Sequence, residues 1–245
     1  MSLLVCDFGH SRFKVHLYSE HLTQRWILPL KPFSWPEQID PSSVREMLFV
    51  GTHQAHRLRV DSHCSQRGFP AGIQLGVDCK VPLLLAEGIH GVGNDRLAQA
   101  LGAEQEKPQA RNLIVSAGSA LVIDLVQQGQ FQGGMIGLGW KIYGETMAKI
   151  NPLLVTQEQE LLKYPGKKTS EAVALGWQEC ARGAIERNAL GCDHVFFTGG
   201  DSQQFSSVFP KGLFRPWLGV DAMAKALGYR VNESQVIHDQ LEGPT

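Results

Sequence analysis

Apolar runs and their polar interruptions divide the chain into short strands and a smaller number of helices. Leu3 to Cys6 is a continuous apolar run that ends at Asp7, and a second run spans Phe13 to Tyr18. The turn Phe8–Ser11 joins them, and a third run over residues 22–28 follows another polar turn. Residues 112–136 repeat this order: an apolar strand, a tight Ala117-Gly118-Ser119 turn, a second strand, a Gln-Gly turn and a third strand. In the repeat Ser116 takes the place of Asp7, and Gly118 that of Gly9. A supersecondary unit occurring twice in one chain points to two related halves, which together can clamp a nucleotide.

The remaining pattern fills in around these units. Prolines 29, 32, 36 and 41 mark a loop, with a short helix predicted near 42–47. Met47 to Thr52 reads as a buried strand ending in a glycine turn, and a second short strand is predicted near 57–61. Residues 62–72 read as loop, and Gly72 to Leu85, broken by Pro82, as short strands only. Leu97, Ala100 and Leu101 share one helical face, and polar residues 104–111 read as an exposed link. Helices are predicted over Trp140–Ile150, near 156–163, from Thr169 or Ser170 to about Leu190, and over Val220–Leu227. The long one has Val173, Trp177, Cys180, Ala184 and Ile185 as its inner stripe. Val195 to Thr198 is a buried strand running into Gly199-Gly200, and Leu213–Trp217 a short strand.

Several stretches carry two readings. Asp7-Phe8-Gly9-His10-Ser11 is either a plain hairpin or a loop that presses backbone N–H groups against phosphate, with Asp7 as a Mg²⁺ ligand. Asp95 follows Asn94, which fits an N-cap, and so has a structural role in the first helical turn. Equally, it can serve as a general base, with Arg96 beside it as an anion holder. Gly133 to Gly139 holds four glycines in seven residues, the composition of a close backbone approach or of an ordinary glycine-rich strand end.

Composition narrows the classes. The 245 residues carry 23 Lys and Arg against 24 Asp and Glu, a net charge of −1 that offers no basic field for nucleic acid or acidic membrane. Hydrophobic content of 43% is ordinary for a globular chain, and no apolar stretch is long enough to span a bilayer. The N-terminus lacks the basic region of a signal peptide. Five scattered cysteines without a C-x-x-C pair fit free thiols in a cytoplasmic protein. His53-x-x-His56 with His63-Cys64 is a poor zinc pattern and reads as a solvated loop.

The ordered motifs together resemble the bacterial type III pantothenate kinases, of the acetate kinase, sugar kinase, Hsp70 and actin superfamily. Asp7 to Lys14 resembles the family's Asp-x-Gly-Asn-Thr-x-x-Lys phosphate loop, and Gly93-Asn94-Asp95-Arg96 its Gly-x-Asp-Arg motif. Ser116-Ala117-Gly118-Ser119-Ala120 is similar to its Asp-x-Gly-Thr-Ala loop, with Asp124 and Gly133-Gly134 following at family spacing. Thr169, seven residues before Gly176, resembles a substrate-touching threonine, and Thr198-Gly199-Gly200 the adenosine-side motif.

This resemblance implies an α/β chain of two ribonuclease-H-like domains, 1–108 and 109–245, with an actin-like ATPase fold and a nucleotide cleft between them. The implied activity is ATP-dependent phosphorylation of pantothenate to 4'-phosphopantothenate, the first step of coenzyme A biosynthesis, by a cytoplasmic homodimer. ATP would be held by Asp7, Phe8, Gly9, His10, Ser11, Arg12, Phe13, Lys14, Gly118, Ser119, Gly199 and Gly200, with Mg²⁺ on Asp7. Pantothenate would meet Gly93, Asn94, Asp95, Arg96 and Thr169, with Asp95 accepting the hydroxyl proton. Ser116 stands where the family has its monovalent-cation aspartate, His10-Ser11 replaces Asn-Thr, and Ala86 replaces a substrate tyrosine. Two rivals therefore stay open: a kinase of another small hydroxyl compound, and a nucleotide-binding regulator without turnover. Because a neutral hydroxyl is a poor cation ligand, turnover is expected to depend weakly or not at all on K⁺ or NH₄⁺. Titrating either cation against activity checks this, and a strong requirement would contradict it.

Overall fold

The two longest buried apolar runs become the central strands of two six-stranded sheets in the computed structural model. It describes residues 2–8, 12–29, 35–51, 54–155, 162–206, 209, 212–232 and 234–238. The strands are β1 (Ser2–Phe8), β2 (Arg12–Tyr18), β3 (Thr23–Pro29), β4 (Val44–Val50), β5 (Gly72–Gln74), β6 (Leu84–Leu85), β7 (Arg111–Ala117), β8 (Ala120–Gln127), β9 (Gln130–Leu138), β10 (His194–Thr198), β11 (Gly212–Phe214) and β12 (Ser234–His238). The helices are α1 (Gln54–Gln66), α2 (Asn94–Glu106), α3 (Trp140–Ile150), α4 (Thr169–Ala189), α5 (Gln203–Ser206) and α6 (Leu218–Ala226).

The strand orders are β12-β3-β2-β1-β4-β5 and β11-β10-β7-β8-β9-β6. In the first, β2 is antiparallel to both β1 and β3, while β1, β4 and β5 run parallel. The second repeats this, with β8 antiparallel to β7 and β9, and with β7, β10 and β11 parallel. Each sheet thus has the order third-second-first-fourth-fifth of a ribonuclease-H-like half. Each also gains a sixth strand, β12 or β6, lying parallel beside its third. Both central strands are buried nearly throughout, which is why they read as apolar runs and not as alternations. The Gln128-Gly129 turn between β8 and β9 has positive φ at both residues, 52° and 73°, the geometry that a tight hairpin needs.

The chain divides into two compact units, neither of them continuous. The first comprises Met1–Pro82, Gly91–Gly102 and Gly219–Thr245, and the second Leu83–His90 and Ala103–Leu218. In the first, Leu4, Cys6, Phe8, Phe13 and Val15 pack with Phe49 and with Val60 and Cys64 of α1. In the second, Leu113, Val115 and Ala117 pack under Trp177, Ala181 and Ile185 of α4, with Phe197 and Phe205.

Several elements differ from the sequence expectation. The strand near 57–61 and the start of the loop expected over 62–72 are replaced by α1, while residues 67–71 are loop. Arg57-Leu58-Arg59-Val60 alternates like a strand, but Val60 and Cys64, four residues apart, form the buried stripe while Leu58 is exposed. The helix near 42–47 is a 3₁₀ turn over Pro41–Ser43, capped by Asp40, whose carboxylate accepts from the Ser42 N–H at 3.0 Å; strand β4 starts directly after it. The polar link near 104–111 begins as helix, since α2 runs to Glu106. On α4, Ala181 is buried and Cys180 exposed, because the stripe from Trp177 continues four residues on. Most of the helix expected near 156–163 lies outside the described residues.

A charged network is built into the first unit. Arg25 on β3 is 1% exposed and donates from Nη2 to Asp221 Oδ1 on α6 at 2.8 Å. Tyr18 Oη donates to the same oxygen at 2.8 Å. Arg25 Nη1 lies 3.1 Å from His16 Nδ1, and since a guanidinium only donates, that nitrogen is the bare acceptor. Burial, then Arg25, then Lys14, hold the fully buried His16 well below its ordinary value, so the folded protein keeps it neutral. Burial likewise pushes Tyr18 well above its usual range, with Asp221 adding to the shift.

Two outcomes follow from this network. Asp221→Ala strands a buried guanidinium and is expected to cost about 3 kcal/mol, read from denaturant midpoints, at the lower end for a broken buried pair because Asp221 is partly exposed. As pH falls below about 6.5 the unfolded chain protonates its histidine while the folded one does not, so stability falls on that side and is fully present above it. His16→Gln is expected to reduce the loss of melting temperature between pH 7 and 5; an unaltered slope would assign it to other groups.

Candidate functional site

In the second unit two backbone segments converge on the Ala117-Gly118-Ser119 turn between β7 and β8. Gly118 N–H donates to the Ala120 carbonyl at 3.0 Å, closing the turn. Gly139, after β9, donates its N–H to Ser119 O at 3.1 Å and lies so close that a Cβ there would sit 1.8 Å from Gly118 O. Gly199, after β10, has φ +89°, and a Cβ on it would come within 2.3 Å of Ala117 O. The Asp201 N–H donates to that same carbonyl at 3.1 Å. On the open side the turn is bare: a Cβ on Gly118 or on Gly200 would meet no atom within 4 Å. Ser119 is exposed, so its hydroxyl and the bare Gly118 backbone are presented together. A bare glycine backbone beside an exposed hydroxyl leaves room for phosphate or a nucleotide to approach closely.

Behind the turn, Ser116 is half-buried and lies in register with Val122 and Thr198. Asp124 is 1% exposed and faces Gly134 across the β8–β9 ladder, where a Cβ would come within 2.2 Å of its Oδ1. The glycine-rich stretch 133–139 therefore has two distinct uses: Gly134 makes room for a buried carboxylate, and Gly139 for a backbone turn. Thr169 is the exposed first residue of α4.

In the first unit, Asp7 and Lys14 are opposite each other on β1 and β2, with Nζ 3.3 Å from Oδ2 and both side chains partly exposed. Phe8 and Phe13 turn inward and stack at 5.3 Å, so only their backbones are available to a ligand. Gly51, at φ +104°, ends β4 against Phe8, with room for no Cβ beyond 2.9 Å of the Phe8 carbonyl. Gly9, His10 and Ser11 lie outside the described residues, and of Arg12 the structure gives its place on β2, opposite Pro29.

The Gly93–Arg96 motif forms the start of α2. Asn94 is the helix's first residue and not its cap: the Gly93 carbonyl accepts from Leu97 N–H at 3.2 Å, and Asn94 Nδ2 donates to Leu75 O at 3.4 Å. Gly76, at φ +88°, leaves the space that the Asn94 amide occupies. Asp95 is exposed in the first turn, its Oδ1 2.6 Å from where a Gly93 Cβ would lie, so glycine at 93 leaves that carboxylate room. Arg96, beside it, is half-buried.

Among the described residues no group of three His, Cys, Asp or Glu side chains is placed to hold a metal. Mg²⁺ needs none, since it is usually held by one or two carboxylates together with waters and substrate phosphates. Asp7, a partly exposed carboxylate at the tip of β1, fits that role. Sequence reasoning had not assigned the close contacts of Gly51 and Gly139, although both stood at strand ends marked by glycine. It had placed Trp177 in the core stripe without a partner for its N–H, which donates to Leu138 O at 2.9 Å.

Two ribonuclease-H-like halves, each built around a central hairpin, give the fold of the actin-like ATPase class. The sequence profile of the type III pantothenate kinases matches residues 3–189, and the chain belongs to that family. It is 23% identical over 239 residues to a type III pantothenate kinase of Alkalilimnicola ehrlichii, covering 91% of this chain and 96% of that one. A type III pantothenate kinase of Aquifex aeolicus is 34% identical over 154 residues, 58% of this chain and 61% of that protein. A solved Baf family structure from Campylobacter jejuni superposes with a TM-score of 0.64 at 21% identity, covering 92% and 97% of the two chains.

The two glycines of the cradle are expected to behave oppositely. Gly139→Ala forces backbone apart and is expected to cost about 1–3 kcal/mol in denaturant titration. Gly118→Ala meets open space and is expected to leave stability within about 0.5 kcal/mol. Its methyl would instead obstruct close approach, weakening MgATP binding about tenfold or more by calorimetry.

Proposed function

We propose that the chain transfers the terminal phosphoryl group of ATP to the primary hydroxyl of pantothenate, giving 4'-phosphopantothenate for coenzyme A synthesis. The observation that carries this reading is the bare Gly118-Ser119 turn, compressed from behind by Gly139 and Gly199 and open in front. Such a turn suits the close approach of phosphate oxygens to backbone N–H groups.

Phosphoryl transfer needs charge neutralisation and an oriented nucleophile more than covalent participation by the protein. Mg²⁺ supplies the neutralisation when bound with ATP. Asp7 is the residue to hold it, and Lys14, beside Asp7, adds positive charge. Asp95 is the base that takes the hydroxyl proton: exposed at a helix start, it is accessible to an alcohol, and Gly93 leaves its carboxylate room. Arg96 holds the substrate carboxylate, and Thr169, exposed at the start of α4, gives a further hydroxyl contact. Ser119, Gly199 and Gly200 serve the nucleotide. Ser116 is a neutral residue at the family's cation position and supports little use of K⁺.

A second reading, phosphorylation of another small alcohol, rests on Ala86. Its N–H is bonded to the Phe131 carbonyl at 3.0 Å, and the residue stands at the position of the family's substrate tyrosine, whose hydroxyl it lacks. The resemblance also favours a homodimer. The exposed Met135, Ile136 and Leu138 of β9 support a second copy of this chain as the occupant of that surface. The free cysteines, with burial raising Cys64 to about 12, suit a reducing compartment such as the cytoplasm. No helix among the described residues is long and apolar enough to cross a membrane.

ATP consumption with pantothenate, with other hydroxyl compounds and with none separates the readings. Turnover only with pantothenate is expected, and no turnover with any acceptor would leave a binding protein. Asp95→Asn is expected to lower kcat about 10²- to 10⁴-fold, the usual contribution of a general base, with ATP affinity retained. Loss of ATP binding in that variant would make Asp95 structural.

A further inference from the structure

Trp177 lies two turns along α4 from Thr169 and is 5% exposed. Its Nε1 donates to Leu138 O at 2.9 Å. Leu138 ends β9, and the next residue, Gly139, is the one pressed against Gly118 and Ser119. The same indole meets Trp140 at 5.5 Å, edge-on at 62°, and Phe205 at 5.6 Å. Phe205 belongs to α5, immediately after the Gly199–Ser202 segment: its N–H donates to Ser202 O at 3.0 Å, and Ser202 Oγ donates to Gly199 O at 2.9 Å. One side chain therefore bonds the backbone that carries Gly139 and packs on Phe205, which is tied through Ser202 to Gly199. An apolar residue would fill the space between them equally well. An indole adds a single donor with a fixed direction, and here it is spent on the carbonyl preceding Gly139.

We propose that Trp177 is a positioning residue for the nucleotide cradle, setting the Leu138–Gly139 backbone through its indole N–H and the Gly199–Ser202 segment indirectly, through the packing of its ring on Phe205. This rests on the reading of that turn as the ATP site. Without the donor, Leu138 O is released, Gly139 is free to withdraw from Ser119, and the turn loses a support for its backbone.

The test replaces Trp177 with 3-benzothienylalanine, which keeps the shape and substitutes sulfur for the N–H, alongside Trp177→Phe. Hydrogen exchange in the unliganded protein is expected to quicken about 5- to 10-fold at the Gly139 and Asp201 amides, the scale of one lost hydrogen bond, while β1 amides stay unchanged. In steady-state assays the KM for MgATP is expected to rise about 5- to 10-fold, with kcat and the pantothenate KM within about twofold. A purely structural tryptophan would lower the melting temperature without that split. Unchanged exchange at Gly139 and Asp201 in the benzothienyl protein overturns the proposal, whether or not the enzyme phosphorylates pantothenate. So does altered exchange with an unaltered MgATP KM. If the wild-type chain shows no turnover, the functional reading falls, while quickened exchange still supports the positioning of the backbone by Trp177. If Trp177→Phe fails to fold, the isosteric protein decides alone.

Discussion

The candidate nucleotide site depends on backbone meeting backbone with no side chain between. Gly139 against Gly118 and Gly199 against Ala117 leave separations too short for a methyl group. Peptide groups packed so closely are rigid, and their remaining polarity must point outward. A phosphate anion is a natural partner for such a surface, because bare backbone lets its oxygens approach closely. The fold supplies this geometry by bringing the ends of β8's neighbours and of β10 to the same edge of one sheet. The small residues are therefore consequences of the strand order as much as of the chemistry.

Much of this was legible from the sequence because the central strands are buried on both faces. Leu3 to Cys6 and Leu113 to Val115 could be recognised as apolar runs, and the two tight turns between neighbouring runs exposed the duplication. The glycine cluster 133–139 signalled close approach, yet not to what: one glycine accommodates Asp124, another the Gly118 turn. Identity of the neighbour is a tertiary fact that no local pattern carries. The α1 helix was hidden for a different reason. It is so polar that Val60 and Cys64 are its buried residues, and the alternation around Leu58 imitated a strand. The Trp177 N–H was hidden because periodicity records which face a residue occupies and nothing about where a donor points.

The first unit solves another problem, which is how to retain a terminal segment. Arg25 has its charge buried beneath α6 and finds its counter-charge there in Asp221, whose oxygen also accepts from Tyr18. A buried guanidinium paired with a carboxylate on α6 strongly disfavours detachment of that helix, since separation would remove the Asp221 counter-charge. The neutral His16 beside it lets Arg25 donate a second bond without adding like charge. Hydrophobic contact alone would hold α6 in place, but would specify its register less sharply.

Each of the duplicated sheets takes its sixth strand from a distant part of the chain: β6 from before α2, β12 from beyond α6. A ribosome delivers these in unequal order. By residue 218 every segment of the second unit has emerged, whereas the first still lacks α6 and β12. The half that contains β1 is thus the last whose parts are all available during synthesis, so the order in which strands appear is not the order in which each half can be completed.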